Sequence, residues 1–193
     1  LNAQLHELNS QRQYLHKVAH HDALTGLPNR ILLEDRIEQA LISARRDKVE
    51  IAVMLVDLDG FKPINDKYGH DIGDKLLQEC AARMLTCIRE TDTAARYGGD
   101  EFMIIISARD LQLRGMSARH LSRQVAEKVR NALNQGFKIE NYLLNISCSI
   151  GIALYPQDGD EKNTLIKHAD LAMYYAKSTG RNNVKLYTDI QID

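Results

Sequence analysis

Tryptophan is missing from this 193-residue chain, proline occurs only three times, and no apolar run approaches the roughly 20 residues needed to span a bilayer. No signal peptide is visible either, so direct membrane contact from this segment is not expected. A surplus of charge is also missing: 25 Lys and Arg stand against 26 Asp and Glu, a formal net charge of -1. That balance provides no broad cationic field to hold a phosphate backbone, and nucleic-acid binding is not expected. A small charged ligand needs only local charge. Cysteine is sparse: Cys80, Cys87 and Cys148 form no CxxC pair, and each lies within an apolar pattern. Buried reduced thiols are favoured over metal ligands or disulfides, which points to a cytoplasmic setting. What is present is ordinary globular composition, 44% hydrophobic and 26% charged, enough for one domain with a core plus an appendage. The start at Leu1 rather than Met suggests a piece of a longer protein, whose neighbouring domains could include a membrane anchor.

The first twenty residues are polar apart from Leu1, Leu5, Leu8, Leu15 and Val18, a 4-3 spacing that Arg12 interrupts. This predicts a helix over 1–20 that is either the end of a coiled coil or folded back on its own domain. A second helix to about Arg46 follows Thr25-Gly26-Leu27-Pro28-Asn29, with Pro28 suited to its first turn. Ile51 to Val56 is apolar on both faces, as a central strand would be, and ends abruptly in Asp57-Leu58-Asp59-Gly60. Ile72, Leu76, Leu77, Cys80, Ala81, Met84, Leu85 and Ile88 make the clearest amphipathic helix. Ala94 to Tyr97 and Glu101 to Ile106 read as strands around a Gly98-Gly99 hairpin. Further helices are predicted around Leu121–Leu133 and Leu165–Ala176, the latter closed by Gly180. From Leu144 to Leu154 the even positions are apolar while Asn145, Ser147 and Ser149 take the other face, which predicts a half-buried strand. A last strand is expected over Val184–Tyr187. Interleaved strands and helices with a hairpin indicate an α+β fold, an α/β sandwich.

Two carboxylate groups stand at predicted strand ends: Asp57 with Asp59, and Asp100 with Glu101. If those strands are neighbours, the carboxylates converge. Like charges then raise one another's pKa, and such a cluster usually persists because a divalent cation neutralises it. Magnesium suits oxygen ligands of this kind, commonly one or two carboxylates with substrate phosphates and water. Acidic residues that merely mark exposed strand ends are the alternative. The diglycine weighs against it, because a plain turn needs only one such glycine, whereas two leave backbone room for a bulky ligand.

Five ordered segments carry a resemblance. They are Asp22 to Arg30, Val56 to Asp66, Gly69 to Asp74, Arg96-Tyr97-Gly98-Gly99-Asp100-Glu101-Phe102, and Ala169-Asp170 through Lys177 to Asn182. In order and spacing these closely resemble the signatures of GGDEF-domain diguanylate cyclases. The match runs from about His21 to Tyr187. The resemblance implies a linker helix over 1–20, a GGDEF domain over 21–188 with a palm-like, mainly antiparallel sheet flanked by helices, and a tail over 189–193. It implies catalytic roles for Asp57, Asp100 and Glu101. Magnesium, or manganese in its place, would be held by Asp57, the Leu58 carbonyl, Asp100 and Glu101. Asn65 and Asp74 match the guanine readers, Lys177 and Arg181 the phosphate grips, and Phe61, Lys62, Gly98 and Gly99 line the GTP site. An Asn amide with an Asp acceptor satisfies a guanine edge and leaves adenine mismatched. Lys177 and Arg181, four apart, are expected on one helix face.

The activity so implied is condensation of two GTP into cyclic di-GMP by a homodimer, each domain holding one GTP. Arg89 and Asp92 resemble the family's RxxD product-inhibition site, where cyclic di-GMP binds; an ordinary surface ion pair is the less favoured reading. His16, His20 and His21 lack an acidic or Cys partner for a zinc set and read as exposed linker residues, while His70 reads as structural support for the nucleotide pocket. The alternative function is a silent GTP- or cyclic di-GMP-binding domain regulating an attached phosphodiesterase or other output domain. Sensor or phosphodiesterase domains are expected in the full-length protein.

Overall fold

The computed structural model describes residues 2–107 and 116–190. Helix α1 spans Asn2–His20 and α2 spans Arg30–Asp47. Strand β1 (Ile51–Asp59) is followed by α3 (Phe61–Tyr68) and α4 (His70–Cys87). The hairpin β2 (Thr93–Gly98) and β3 (Glu101–Ser107) precedes α5 (Ala118–Leu133). A small hairpin, β4 (Phe137–Ile139) and β5 (Tyr142–Leu144), leads to β6 (Ser147–Tyr155). Helix α6 (Lys162–Ser178), β7 (Val184–Leu186) and a 3-10 turn at Tyr187–Asp189 complete the described chain.

The main sheet has the order β2-β3-β1-β6-β7. Every pair is antiparallel except β6 with β7, which run parallel. Because strand side chains alternate between faces, β1 divides its apolar residues between two cores. Ala52, Met54, Val56 and Leu58 pack with α3, α4 and α5. Ile51, Val53 and Leu55 pack with α2 and α6. The sheet is thus covered on both sides, and burial of a side chain such as Phe102 at its centre stabilises the fold by about 1.5–3 kcal/mol.

Several local expectations change. Pro28 precedes α2 rather than opening it: Asn29 is the N-cap, its side chain accepting from the Leu32 N–H at 3.1 Å. The polar face of β6 is not solvated, because Ser149, Gly151 and Ala153 are buried. Its small residues admit α6: a Cβ on Gly151 would lie 2.0 Å from the Ala169 carbonyl oxygen. Helix α3 and the β4–β5 hairpin are additions that the apolar periodicity did not signal. The seam on α1 is described only in part. Leu1 and the side chains of Leu5 and Leu8 lie outside the described residues, while Leu15 and Val18 are exposed. Residues 191–193 of the expected tail also lie outside them.

The three cysteines are free and buried. Burial pushes the Cys80 thiol up to about 12, and Cys148 is pushed up still further, so neither is a ready thiolate. No helix among the described residues is long and apolar enough to cross a membrane.

Candidate active site

The acidic cluster forms where three antiparallel strands meet. Asp57 lies opposite Glu101 in the β1–β3 register and opposite Ser149 in the β1–β6 register. Like charges directly opposite one another destabilise a sheet, so this pair calls for a cation. The Leu58 N–H donates to the Asp100 carbonyl at 3.2 Å, which ties the hairpin turn to the end of β1. Burial pushes the Asp57 carboxyl up; Lys177 opposes that shift, while Asp100 and Asp59 add to it. Burial also raises Glu101, reinforced by Asp57, Asp100 and Asp170.

The hairpin differs in detail from the expected diglycine turn. Gly98 pairs with Glu101 as the last residue of β2, and the connection is Gly99-Asp100. Of the two glycines, Gly99 takes a positive φ, +53°. A Cβ on either glycine would meet nothing within 4 Å, so the backbone there is open to a ligand. The strand slips register between Arg96 and Gly98, a bulge at Tyr97.

Arg96 fixes this turn, a role the sequence reading did not assign. Its guanidinium donates twice to the Gly99 carbonyl, at 3.0 and 2.8 Å, and reaches Asp22 at 3.2 Å. Burial pushes Asp22 up, but two hydrogen bonds from Thr25 together with Arg96 outweigh it and hold the carboxyl low. Asn29 ties the segment from Asp22 to α2 back to α1, its side-chain amide donating to the Ala19 carbonyl at 2.9 Å. His21 is occupied as well, its ring nitrogen lying 3.0 Å from the Gly26 carbonyl. A pairing between residues 22 and 96 leaves no trace in local spacing.

Asp59 departs from the expectation that it joins Asp57 as a cluster carboxylate. It accepts from Ser147 Oγ at 2.9 Å, Ser149 Oγ at 2.8 Å and the Asn182 N–H at 3.0 Å. It is an anchor between β1, β6 and the loop after α6. Lys177 and Arg181 do not share a helix face. Helix α6 ends at Ser178, and Arg181 sits beyond it in a left-handed conformation, φ +58°. Gly180 and the carbonyl caps of the last turn end the helix before Arg181 is reached. Lys177 is engaged with Asp57, its Nζ 2.8 Å from Oδ2.

The candidate guanine readers lie on the opposite sheet face, Asn65 on α3 and Asp74 on α4. Phe61 is buried against α4, so its side chain serves packing, while Lys62 is exposed. The Asn65 amide oxygen is buried with no hydrogen-bond partner among the described residues. It lies over Gly73, where an added Cβ would come within 1.7 Å of it. Asp74 is exposed one residue further along α4, and His70 is exposed at its start. Leaving a buried polar atom unpaired costs about 1–3 kcal/mol, so this cradle fits a ligand that completes the bond.

Arg89 and Asp92 close a turn at the far end of α4. The Asp92 carboxylate accepts the Arg89 backbone N–H at 3.0 Å. The Arg89 side chain is exposed.

Among the described residues no group of three or more acidic, His or Cys side chains is arranged to hold a metal ion unaided. The donor set nonetheless fits magnesium, which takes one or two carboxylates and completes its shell with phosphates and water. A cavity of about 420 Å³ adjoins Glu101, floored by Leu55 and walled by Tyr97, Arg30 and Asp170. A larger one, about 730 Å³, lies between α4 and α5 beside Thr86 and Lys128, away from the carboxylates. Size alone therefore does not locate the chemistry.

Carboxylates at the ends of neighbouring antiparallel strands, with helices on both sheet faces, define a palm-like α+β domain. Residues 19–183 match the family described as "Diguanylate cyclase, GGDEF domain", and the chain belongs to that family. It is 49% identical over 166 residues to the bifunctional diguanylate cyclase/cyclic di-GMP phosphodiesterase MucR of Pseudomonas aeruginosa, covering 86% of this chain and 23% of MucR. It is 35% identical to the diguanylate cyclase TpbB of the same organism, covering 96% of this chain and 43% of TpbB. The solved GGDEF domain of TpbB superposes with a TM-score of 0.80 at 36% identity, covering 87% of this chain and 94% of that one. The chain thus spans about a quarter of MucR and under half of TpbB.

Proposed function

We propose that the domain over residues 21–188 condenses two GTP molecules into cyclic di-GMP, releasing pyrophosphate, with the first helix as its linker. The observation that carries this reading is the convergence of Asp57, Asp100 and Glu101 at the open end of β1 and β3, beside Lys177. In each half-reaction a 3′-hydroxyl oxygen bonds to the α-phosphorus of the other GTP, the bond to the β-phosphate bridge breaks, and pyrophosphate leaves. The hydroxyl proton needs an acceptor, and the Glu101 carboxylate, opposite Asp57 at the strand end, is the candidate. Asn65 and Asp74 read the guanine edge; Lys62, Lys177 and Arg181 meet the phosphates, which the open backbone at Gly98 and Gly99 admits. Asp57, Asp100, Glu101 and the Leu58 carbonyl would hold magnesium, or manganese, which when bound neutralises charge developing on the phosphates.

One domain holds one GTP, so the reaction needs a homodimer in which two sites face each other, and catalysis is largely positioning. Cyclic di-GMP returning to Arg89 and Asp92 would restrain it. Since the whole chains of its relatives are longer, sensor or phosphodiesterase domains are proposed as neighbours. The test is chromatography of products formed from GTP and magnesium by the wild-type domain and by Asp100→Ala. The wild type forms cyclic di-GMP and the variant, still folded, does not; a variant with undiminished turnover defeats the carboxylate assignment.

A further inference from the structure

Lys177, in the last turn of α6, is in contact with Asp57, its ammonium 2.8 Å from a carboxylate that is buried in the sheet. Its position is tightly determined. The helix beneath it is pressed onto β6 at Gly151, where even a methyl group would collide with helix backbone. Just beyond it, the loop is pinned by the Arg181 N–H on the Ala176 carbonyl and by the Asn182 N–H on Asp59. Asp59 is the weaker competitor for Lys177, because two serine hydroxyls and that backbone N–H already donate to it.

We propose that Lys177 is the built-in counter-ion of Asp57 and competes with the divalent cation for this carboxylate, so that nucleotide phosphates, by drawing the ammonium away, raise cation affinity. The inference rests on the reading of the site as a nucleotide-condensing centre and adds an order of events to it. Lysine suits the role: its ammonium is a compact point charge on a flexible four-carbon stem, able to pass from carboxylate to phosphate without moving α6. A doubly charged cation at Asp57 meets both the loss of that ion pair and repulsion from the ammonium. Coupling of this kind is reciprocal, so the cation strengthens nucleotide binding by the same factor. Premature capture of a cation by the acidic cluster is thereby disfavoured.

The test uses Mn²⁺ as the probe, its free concentration followed by electron paramagnetic resonance in titrations of the purified protein without nucleotide. Lys177→Met is expected to bind Mn²⁺ about 5–150-fold more tightly than wild type, the span of typical coupling energies. Lys177→Arg, which keeps the positive charge, is expected to stay closer to wild type than Lys177→Met does. If the methionine variant fails to fold, Lys177→Gln carries the same expectation. In Lys177→Met/Asp57→Asn the gain disappears. Equal Mn²⁺ affinity in wild type and Lys177→Met overturns the counter-ion assignment, as does a gain that survives Asp57→Asn. The underlying reading fails separately: wild-type protein that takes up no Mn²⁺ even with GTP present overturns the condensing-centre assignment, and with it the part given to phosphates.

Discussion

Arg96→Met removes the guanidinium that joins the Gly99-Asp100 turn to Asp22 while keeping much of the aliphatic stem. It deletes two hydrogen bonds to the Gly99 carbonyl and the ion pair with Asp22, whose side chains are 16% and 21% exposed respectively. Hydrogen bonds to charged groups contribute about 1.5–3 kcal/mol each, but both bonds here share one acceptor and the pair is partly solvated. A loss of about 2–3 kcal/mol follows, a fall of about 4–12 °C in Tm for a domain of this size. The effect on turnover is larger in proportion, because a displacement of about 1 Å at a reacting group costs on the order of 100-fold. The stability loss also depends on pH. Asp22 is held below its ordinary value in the folded protein, so its contribution is present above the unfolded-state pKa and lost as pH falls through the folded one. Urea unfolding should therefore show the full difference between wild type and variant at pH 7 and a smaller one as pH falls below about 4, until only the Gly99 bonds distinguish them once Asp22 is protonated in the folded protein. Equal urea midpoints at pH 7, or a variant with wild-type turnover, would refute the view that Arg96 fixes the Gly99-Asp100 turn in the geometry the proposed reaction needs.

Other positions give sharper contrasts between folding and binding. Gly73→Ala is expected to leave the fold intact but to push the Asn65 amide aside, weakening GTP binding about 10-fold for one lost hydrogen bond; calorimetry with GTP reads this directly. Gly151→Ala meets helix backbone rather than a movable side-chain tip, so about 3 kcal/mol or more of stability should be lost, and an unchanged melting temperature would contradict the close approach of α6. Arg89→Ala should weaken cyclic di-GMP binding and relieve feedback, whereas equal product affinity in both proteins would show that the exposed guanidinium takes no part.

Much of this architecture is legible from local pattern. The unbroken apolar run of β1 and the helical spacing of α4 each express burial that one element imposes on its own sequence. Long-range packing is less visible. The Ser147, Ser149, Gly151 and Ala153 side of β6 looks polar or small, as a solvated face would, yet smallness there serves the approach of α6. Asp59 looks equivalent to Asp57 until β6 and Asn182 supply its three donors from about 90 to 120 residues away. Likewise the i, i+4 spacing of Lys177 and Arg181 implied a shared helix face, but capping at Ser178 and Thr179 stops the helix between them. The approach of Asp57 to Glu101 was legible because both motifs sit at strand ends; the Arg96–Asp22 clamp was not, since nothing local requires it.

The proposed function is that two copies of this acidic site together condense GTP. Its most direct test is to incubate the purified domain with GTP and magnesium over a range of protein concentration, with and without a fused dimerising coiled coil, and to quantify cyclic di-GMP by chromatography. Specific activity should rise with concentration, become independent of it in the fused dimer, and vanish on chelation of the metal and return when it is restored. No cyclic di-GMP even from the enforced dimer would contradict the account.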